Sequence, residues 1–379
     1  MRCLRLALLA GLLSLMLNSM LMAEPGISAN QVLLGMANAQ TGPASGIGAG
    51  VSAGAQAYFS RVNATGGIHG RKISLILKDD GYEPARTAAV THELIEQDGV
   101  FALLGYVGTP TSRAALPIAL DAQVPYLFPF TGAEFLRTPV RESVFTVRAS
   151  YYDETEAIVE HLTNDLGMRK IAILMQDDSF GETVKGGLAG ALYGRDLHIQ
   201  HAARIKRNSL DVMPAVQALK SAEPQAIVFV GTYMQLAAAV KQARAIGLNA
   251  RFVTVSFIGT ENFISAGGAD AEGVYITQVV PSPYNRALPI IQQYLLDIAP
   301  ADIGYGSLEG YVDAWVFSEA LRKAGPEPTR KALVKALQTL TVDLGGFPVA
   351  FSPTNHQGSN AVFLTRVQDG RALPVQHME

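Results

Sequence analysis

The chain has 379 residues, a charged fraction of 17% and a net formal charge of −3. This small acidic balance offers no positive surface to nucleic acid or to an anionic membrane, so neither is expected as a partner. The only cysteine is Cys3, so the rest of the chain can form no disulfide and has neither a thiol nucleophile nor a cysteine metal ligand.

Residues 1–23 have the pattern of a signal peptide. Arg2 and Arg5 precede an apolar run over residues 6–17, and Ala23 is a small residue at a plausible cleavage point. The run is short for a membrane span. We therefore predict export from the cytoplasm with cleavage near Ala23. NAD, ATP and coenzyme A are scarce outside the cytoplasm, so no cofactor is expected and binding of a small solute is favoured.

Short apolar runs alternate with helical patterns along the rest of the chain. The runs predict strands at 32–36, 73–77, 101–104, 125–128, 171–175, 226–230, 252–255 and 274–279, with later apolar segments at 347–351 and 362–367. A stripe with helical spacing, Val51, Ala55, Tyr58 and Val62, follows the first strand. Such alternation predicts an α/β fold with parallel sheets covered by helices on both faces.

The alternation occurs in two sets, which predicts two doubly wound parallel-sheet lobes. Three crossings between them are predicted, within residues 141–150, at 281–283 and at 345–346. Lobe 1 would comprise residues 27–147 and 280–344, and lobe 2 residues 148–279 and 345–379. Three crossings form a hinge, and the cleft between the lobes is the expected ligand site.

A serine motif offers an alternative function. Residues 50–54 match the GxSxG nucleophile elbow of hydrolases, which needs its serine on a tight turn directly after a strand. Here a loop separates Ser52 from the preceding strand, and Ser52 shares a polar helix face with Gln56 and Ser60. A secreted serine hydrolase is therefore the alternative enzyme, while no enzyme is the expectation. The histidines show no spacing typical of a metal site, and no metal is expected.

Two loops that follow neighbouring strands could bind an anion. The glycine loop at residues 105–108 leads into a helix that Thr109 can cap. Free amides at such a helix start attract an anionic group, above all a carboxylate. The loop after the next strand carries Thr131, Gly132 and Ala133 and should lie beside the first. We predict that the two loops together bind the ligand.

Six segments together resemble the type I periplasmic solute-binding proteins, the Leu/Ile/Val-binding receptors of ABC importers. They are residues 40–43, 63–72, 78–81, 105–112, 178–181 and 242–247, so the resemblance covers nearly the whole chain after residue 23. It implies the type I periplasmic binding protein fold, a periplasmic location and an ABC permease in the inner membrane as partner.

The resemblance also implies roles for individual residues. Such receptors hold the ligand carboxylate with first-lobe loops, and Thr109, Thr131 and Ala133 fall at the matching positions. Tyr233 matches a second-lobe tyrosine that lines the cleft, and Phe180 falls where an aromatic ring packs over the ligand. By position, further cleft residues are expected just past the first crossing and near a later helix start: Tyr151, Tyr152 and Glu309.

One position departs from the family pattern. Amino-acid receptors hold the ligand ammonium with a glutamate after the strand that matches residues 252–255, and this chain has Ser256 there. Burying an ammonium without a carboxylate is costly. Either Asp153 or Glu309 supplies the charge, or the ligand has no amine. A ligand without an amine would be an organic or aromatic acid, an amide or urea.

The predicted function is an extracytoplasmic receptor that captures a small carboxylate-bearing ligand by closure of the hinge. The ligand would be an amino acid or a related organic or aromatic acid, and the receptor would act as a monomer. A sensor that presents the same ligand to a membrane kinase or chemoreceptor is the alternative within this class, since it would use the same cleft.

Overall fold

The protein is described here by a computed structural model of residues 24–379. The predicted signal peptide, residues 1–23, lies outside the described residues. Within residues 24–379, none of the helices is both long enough and apolar enough to cross a membrane.

The first lobe is built on five parallel strands in the order β2-β1-β3-β4-β5. The strands are β1 Gln31–Asn38, β2 Lys72–Asp79, β3 Ala102–Leu104, β4 Tyr126–Leu127 and β5 Val144–Phe145. The helices between them are α1 Ser45–Ala64, α2 Pro84–His92 and α3 Thr109–Asp121. The strands are mostly buried apolar runs, as expected of a parallel sheet with helices on both faces.

The second lobe is built on seven strands in the order β14-β13-β10-β9-β8-β6-β7. Five run parallel: β6 Ile171–Gln176, β7 Ala202–Ile205, β8 Ala226–Val230, β9 Arg251–Thr254 and β10 Tyr275–Gln278. Its helices are α4 Tyr151–Glu160, extended by a π-helical turn His161–Asp165, then α5 Ser179–Tyr193, α6 Met213–Ala222, α7 Tyr233–Ala245 and α8 Thr260–Gly267. The antiparallel strands β13 Phe363–Gln368 and β14 Arg371–Val375 complete the sheet.

The chain returns to the first lobe after β10. It adds helices α9 Pro289–Asp297, α10 Tyr305–Ala324 and α11 Arg330–Leu337, and a hairpin of β11 Thr341–Asp343 and β12 Pro348–Ala350. The predicted α/β fold with two doubly wound lobes and three crossings is confirmed.

The third crossing lies later in the chain than predicted. Gly345 and Gly346 form the turn of the β11–β12 hairpin, where both backbone amides donate to the Asp343 carboxylate at 2.9 and 2.6 Å. Both have positive φ, which glycine adopts without strain. The chain crosses afterwards, beside the first crossing, where Thr146 exchanges backbone hydrogen bonds with His356 and Gly358 at 2.9 and 2.8 Å. The other lobe boundaries stay a prediction.

Helices α1 and α10 form the closest helix pair of the first lobe. The predicted stripe of Val51, Ala55, Tyr58 and Val62 is buried. Gly54 lies so close to α10 that an added Cβ would stand 1.7 Å from the carbonyl oxygen of Ser307. This pairing fixes the start of α10 against the start of α1, at the boundary between the lobes.

Candidate functional site

The two predicted loops meet at the carboxyl ends of β3 and β4. The hydroxyl oxygens of Thr109 and Thr131 are 2.7 Å apart, and the Thr131 hydroxyl donates to the Tyr151 hydroxyl at 3.3 Å. All three residues are fully buried. Tyr151 is the first residue of α4, so the contact joins the two first-lobe loops to the second lobe.

The backbone that follows Thr131 lies very close to the start of α4. Gly132 accepts a hydrogen bond from the Tyr151 amide at 2.8 Å, and a Cβ on Gly132 would lie 2.6 Å from that nitrogen. The carbonyl of Ala133 accepts from Arg137 at 2.9 Å. The amides of Gly132 and Ala133 have no hydrogen-bond acceptor within residues 24–379. Together with the two hydroxyls, they form a cluster of donors.

Buried aromatic rings surround this cluster. The Phe180 ring lies 5.3 Å from the Tyr151 ring and 4.7 Å from the Phe257 ring, measured between ring centres. Phe257 in turn lies 5.8 Å from Phe130 and 5.9 Å from Tyr82. The wall therefore combines rings of both lobes. Of these five, the sequence analysis placed only Tyr151 and Phe180 in the site.

Two predicted tyrosines lie away from this centre. Tyr152 is 44% exposed and packs against α5 at Gly186 and Gly187, because successive side chains of a helix point about 100° apart and Tyr151 takes the inward direction. Placing Tyr152 in the cleft is thus corrected. Tyr233 reaches across the lobe boundary, where its hydroxyl accepts a hydrogen bond from the Gly46 amide at 3.4 Å.

A glutamate that the sequence analysis missed takes up the position beside Ser256. Glu154 accepts hydrogen bonds from the Ser256 amide at 2.7 Å, from the Ser256 hydroxyl at 3.0 Å and from the Thr277 hydroxyl at 2.5 Å. Asp153 does not supply the acid, since its carboxylate caps α4 by accepting from Ser150. The signal for Glu154 is its spacing: it follows Tyr151 by three residues on the buried face of α4.

Arg148, also missed, brings a buried positive charge to the site. Its guanidinium donates to the Ser256 hydroxyl and lies 3.6 Å from Glu154 and 3.4 Å from Glu309. It also stacks 4.6 Å from the centre of the Phe130 ring, a favourable place for a cation. Its Nε and Nη1 atoms are buried and have no hydrogen-bond partner in the described part of the chain.

The surroundings keep this arginine charged. Burial opposes the charge, but Glu309 and Glu154 outweigh it and raise the pKa of Arg148. Burial raises the pKa of Glu309 to about 7, although Arg148 opposes the rise. A buried cation with two nitrogen atoms that lack hydrogen bonds is an unusual electrostatic feature beside Phe130, because buried polar atoms rarely lack partners.

The lobes touch at several further points. Gln176, at the end of β6, donates to the Tyr82 hydroxyl at 3.3 Å, and Arg207 of the second lobe forms a 2.7 Å ion pair with Glu83 of the first. Glu261, in α8, accepts from the Tyr305 amide at the start of α10 at 3.2 Å. The structure therefore shows the lobes closed on one another.

A cavity of about 180 Å³ opens beside the aromatic wall. It is lined by Phe130 and by the first residues of α1, α8 and α10, with the loop at residues 301–304. Larger cavities lie elsewhere, among them one of about 560 Å³ against β14 and one of about 650 Å³ beside α11. Phe130 of the aromatic wall lines this smaller cavity at the lobe boundary, whereas Thr109 and Thr131 do not.

The serine of the GxSxG motif is not at a nucleophile elbow. Ser52 lies inside α1, is 4% exposed, and donates its hydroxyl to the carbonyl of Ala49 at 3.0 Å. A helix interior cannot present the serine as the sharp strand-to-helix turn of a hydrolase does. The structure thus removes the geometric basis for the hydrolase alternative.

Comparisons with known proteins agree with the two-lobed fold. The sequence model of the family described as Periplasmic binding protein matches residues 31–372. The leucine-, isoleucine-, valine-, threonine- and alanine-binding protein of Pseudomonas aeruginosa is 24% identical over 336 residues, which cover 85% of this chain and 87% of that protein.

Two solved structures are similar over almost their whole length. A possible leucine/isoleucine/valine-binding protein from Rhodopirellula baltica SH 1 is 32% identical, with a TM-score of 0.87 and coverage of 92% of this chain and 96% of that one. The substrate-binding periplasmic protein from Ralstonia solanacearum is 30% identical, with a TM-score of 0.85 and coverage of 91% and 100%. These relatives are binding proteins rather than enzymes. The chain therefore belongs to the periplasmic binding protein family, as its resemblance to the type I members indicated.

Proposed function

We propose that this protein is a periplasmic receptor of an ABC importer that captures a small carboxylate-bearing ligand between its two lobes. The ligand docks on the loops of Thr109 and Thr131, and the second lobe closes over it with Tyr151 and Phe180. Closure needs only that the ligand bind the closed form more tightly than the open one. No covalent step is involved.

The main support is the donor cluster. Two threonine hydroxyls in contact and the free amides of Gly132 and Ala133 converge within a buried aromatic wall. Hydroxyls and unpaired amides stabilise an anionic group, and the rings suit an apolar body. A carboxylate on a small apolar or aromatic skeleton satisfies both requirements.

The charges favour a ligand without an amine. Glu154 is already engaged by Ser256, Thr277 and Arg148, so its negative charge is compensated within the protein. An incoming ammonium would have to compete with the Arg148 guanidinium. Among the carboxylate-bearing ligands left open by the sequence, organic and aromatic acids are therefore favoured over amino acids.

A thermal-shift screen of the purified protein tests this function. It compares acids that share one side chain and differ at the α carbon: phenylalanine, phenyllactate, phenylpyruvate and 3-phenylpropanoate, with the leucine series alongside. A ligand at 100 times its Kd stabilises the folded form by about 2.7 kcal/mol, which raises its melting temperature.

The primary amide of each acid is the matched control, since it keeps the skeleton and loses the charge. The proposal expects at least one acid to bind and its amide to bind at least tenfold more weakly. Equal binding of acid and amide contradicts a carboxylate site. Failure of every carboxylate, in a screen widened to amino acids, aromatic acids and dicarboxylates, contradicts the function itself.

Transport and sensing are separated by a second experiment. The protein, loaded with the ligand found in the screen, is added to vesicles that contain the candidate ABC permease. Stimulated uptake supports the importer, whereas no stimulation supports the sensor. Intact-mass analysis of the protein from a periplasmic fraction tests the export and the cleavage near Ala23.

A further inference from the structure

Three potential metal ligands meet on the surface of the second lobe, in residues that the proposed function does not use. His161 and Asp165 lie on the π-helical turn after α4, and His377 is third from the end of the chain. His161 Nδ1 is 2.7 Å from Asp165 Oδ2, and His377 Nδ1 is 3.3 Å from Asp165 Oδ1. One ligand atom of each residue lies within 4.8 Å of the other two.

The end of the chain is fixed at this position. Met378 is 3% exposed, and its amide donates to Asp165 Oδ2 at 2.8 Å. Glu379 exchanges two hydrogen bonds with the Tyr275 hydroxyl, at 2.9 and 3.1 Å. His377 is therefore presented to Asp165 by an anchored tail, and a backbone donor already orients the Asp165 carboxylate, as the outer contacts of metal sites do.

The ligand atoms lie near the separations that a bound cation requires, with His161 Nδ1 and Asp165 Oδ2 at hydrogen-bond distance in this structure. Zinc binds imidazole nitrogen and carboxylate oxygen at roughly 2.0–2.2 Å, so ligand atoms in a tetrahedral site lie about 3.4 Å apart. The side chains of His161, Asp165 and His377 are 23%, 15% and 74% exposed, so small side-chain rotations can equalise their separations. The exposed side leaves a fourth position for water.

We propose that His161, Asp165 and His377 form a site for a divalent transition metal, with zinc as the probe, that ties the C-terminal end to α4. Two imidazoles and one carboxylate suit zinc, copper or nickel better than magnesium or calcium, which prefer oxygen ligands alone. Each histidine binds through Nδ1 and carries its proton on Nε2. The site is separate from the cleft, so it does not depend on the proposed function.

The experiment is a calorimetric titration of tag-free, metal-stripped protein with zinc chloride in a weakly coordinating buffer at pH 7.4. A removed affinity tag is essential, because a polyhistidine tag would bind the metal. We expect one saturable site with a Kd of roughly micromolar order. His161→Ala, Asp165→Asn and His377→Ala should each weaken binding tenfold or more, and magnesium and calcium should not bind.

His92→Ala is the matched control. His92 Nδ1 lies 2.8 Å from Glu96 in an i,i+4 pair that has no third potential ligand among residues 24–379, so this variant should bind zinc as the unaltered protein does. Deletion of residues 377–379 should likewise weaken zinc binding tenfold or more, and circular dichroism verifies that the shortened protein folds. The proposal is overturned if no one-to-one site tighter than about 100 µM exists, or if the His92 variant loses as much affinity as the His161 variant.

Discussion

At the scale of single residues, the site depends on a few polar groups held in an apolar setting. The Thr131 hydroxyl contacts both Thr109 and Tyr151, so it lies where the lobes meet. Thr131→Val keeps the shape and removes the hydroxyl. We expect ligand binding to weaken by about 1 kcal/mol, or roughly fivefold, as measured by calorimetry with the ligand found in the screen.

Thr183→Val is the control for this substitution, since Thr183 also donates its hydroxyl, to the Ser179 carbonyl at 2.8 Å, but lies on α5. The Thr183→Val variant should bind the ligand as tightly as the unaltered protein does. Unchanged affinity in the Thr131 variant would remove this hydroxyl from the ligand site.

We expect Arg148 to set the preference between ligand classes. Arg148→Met leaves Glu154 and Glu309 without their cation, so the protein should lose about 3–5 kcal/mol of stability. The ammonium of an amino acid could then compensate the same carboxylates. We expect the affinity ratio of the amine-free acid to the matching amino acid to fall at least tenfold, measured by calorimetry on folded protein. An unchanged ratio would show that Arg148 does not set the preference.

The sequence predicted part of this site, and the reason for the omissions is physical. Thr109 and Thr131 follow neighbouring strands, and parallel strands bring their carboxyl ends to one edge. Arg148 could not be found in this way, because its partners Glu154, Ser256 and Glu309 lie on three separate segments that only the closed fold brings together. No local pattern marks such a cluster.

At the scale of elements, the contact between α1 and α10 positions two of the helix starts at the lobe boundary. Gly54→Ala would place a methyl group 1.7 Å from the Ser307 carbonyl oxygen, so the helices must separate. We expect a loss of about 1–3 kcal/mol in the free energy of unfolding, measured by denaturant titration.

Gly190→Ala is the matched control for this substitution. Gly190 lies inside α5, and its added Cβ would have no atom within 4 Å. Alanine stabilises a helix interior, so this variant should gain about 0.5–1 kcal/mol. Equal effects of the two substitutions would contradict the close packing of α1 on α10.

The start of α10 also gives the protein a pH-dependent contact. Burial raises the pKa of Glu261 to about 7, although hydrogen bonds from its own amide and from Tyr305 oppose the rise. Between about pH 4.5 and 7, the folded protein therefore keeps a proton that the unfolded chain has lost. The free energy of unfolding should fall as the pH rises through this window.

Glu261→Gln removes this contribution and should flatten the pH dependence of stability. The Glu261 side chain is half-buried, so solvent screens part of this effect. Between pH 5 and pH 8, the free energy of unfolding of the unaltered protein should fall by about 1–2 kcal/mol more than that of the variant. Denaturant titrations of both proteins at the two pH values measure it. Identical pH dependence would contradict the raised pKa of Glu261.

Most elements were predictable because each carries its own pattern. The run at residues 226–230 coincides with β8. Most of the other predicted strands begin and end within two residues of an observed strand. β14 was missed because Pro374 interrupts its short apolar segment, and a proline within such a run argues against a strand. The third crossing was predicted too early in the chain. A pair of glycines indicates a turn, but it does not show whether the chain then forms a hairpin or passes to the other lobe.

At the scale of the whole molecule, several polar contacts join the two lobes. Glu83 accepts from Arg207 and Asn208 at 2.7 and 2.6 Å, and Tyr82 pairs with Gln176 at the centre of the same boundary. The polar contacts at the rim are screened by water and are individually weak. We expect a ligand that contacts both lobes to favour the closed form.

A crystal structure of the protein with the carboxylate that binds best in the screen tests this mechanism most directly. The account predicts the carboxylate within hydrogen-bond distance of the Thr131 hydroxyl and the amides of Gly132 and Ala133, with the Phe180 ring against the ligand body. Ligand density confined to another surface, such as the cavity against β14 and away from both threonines, would contradict it.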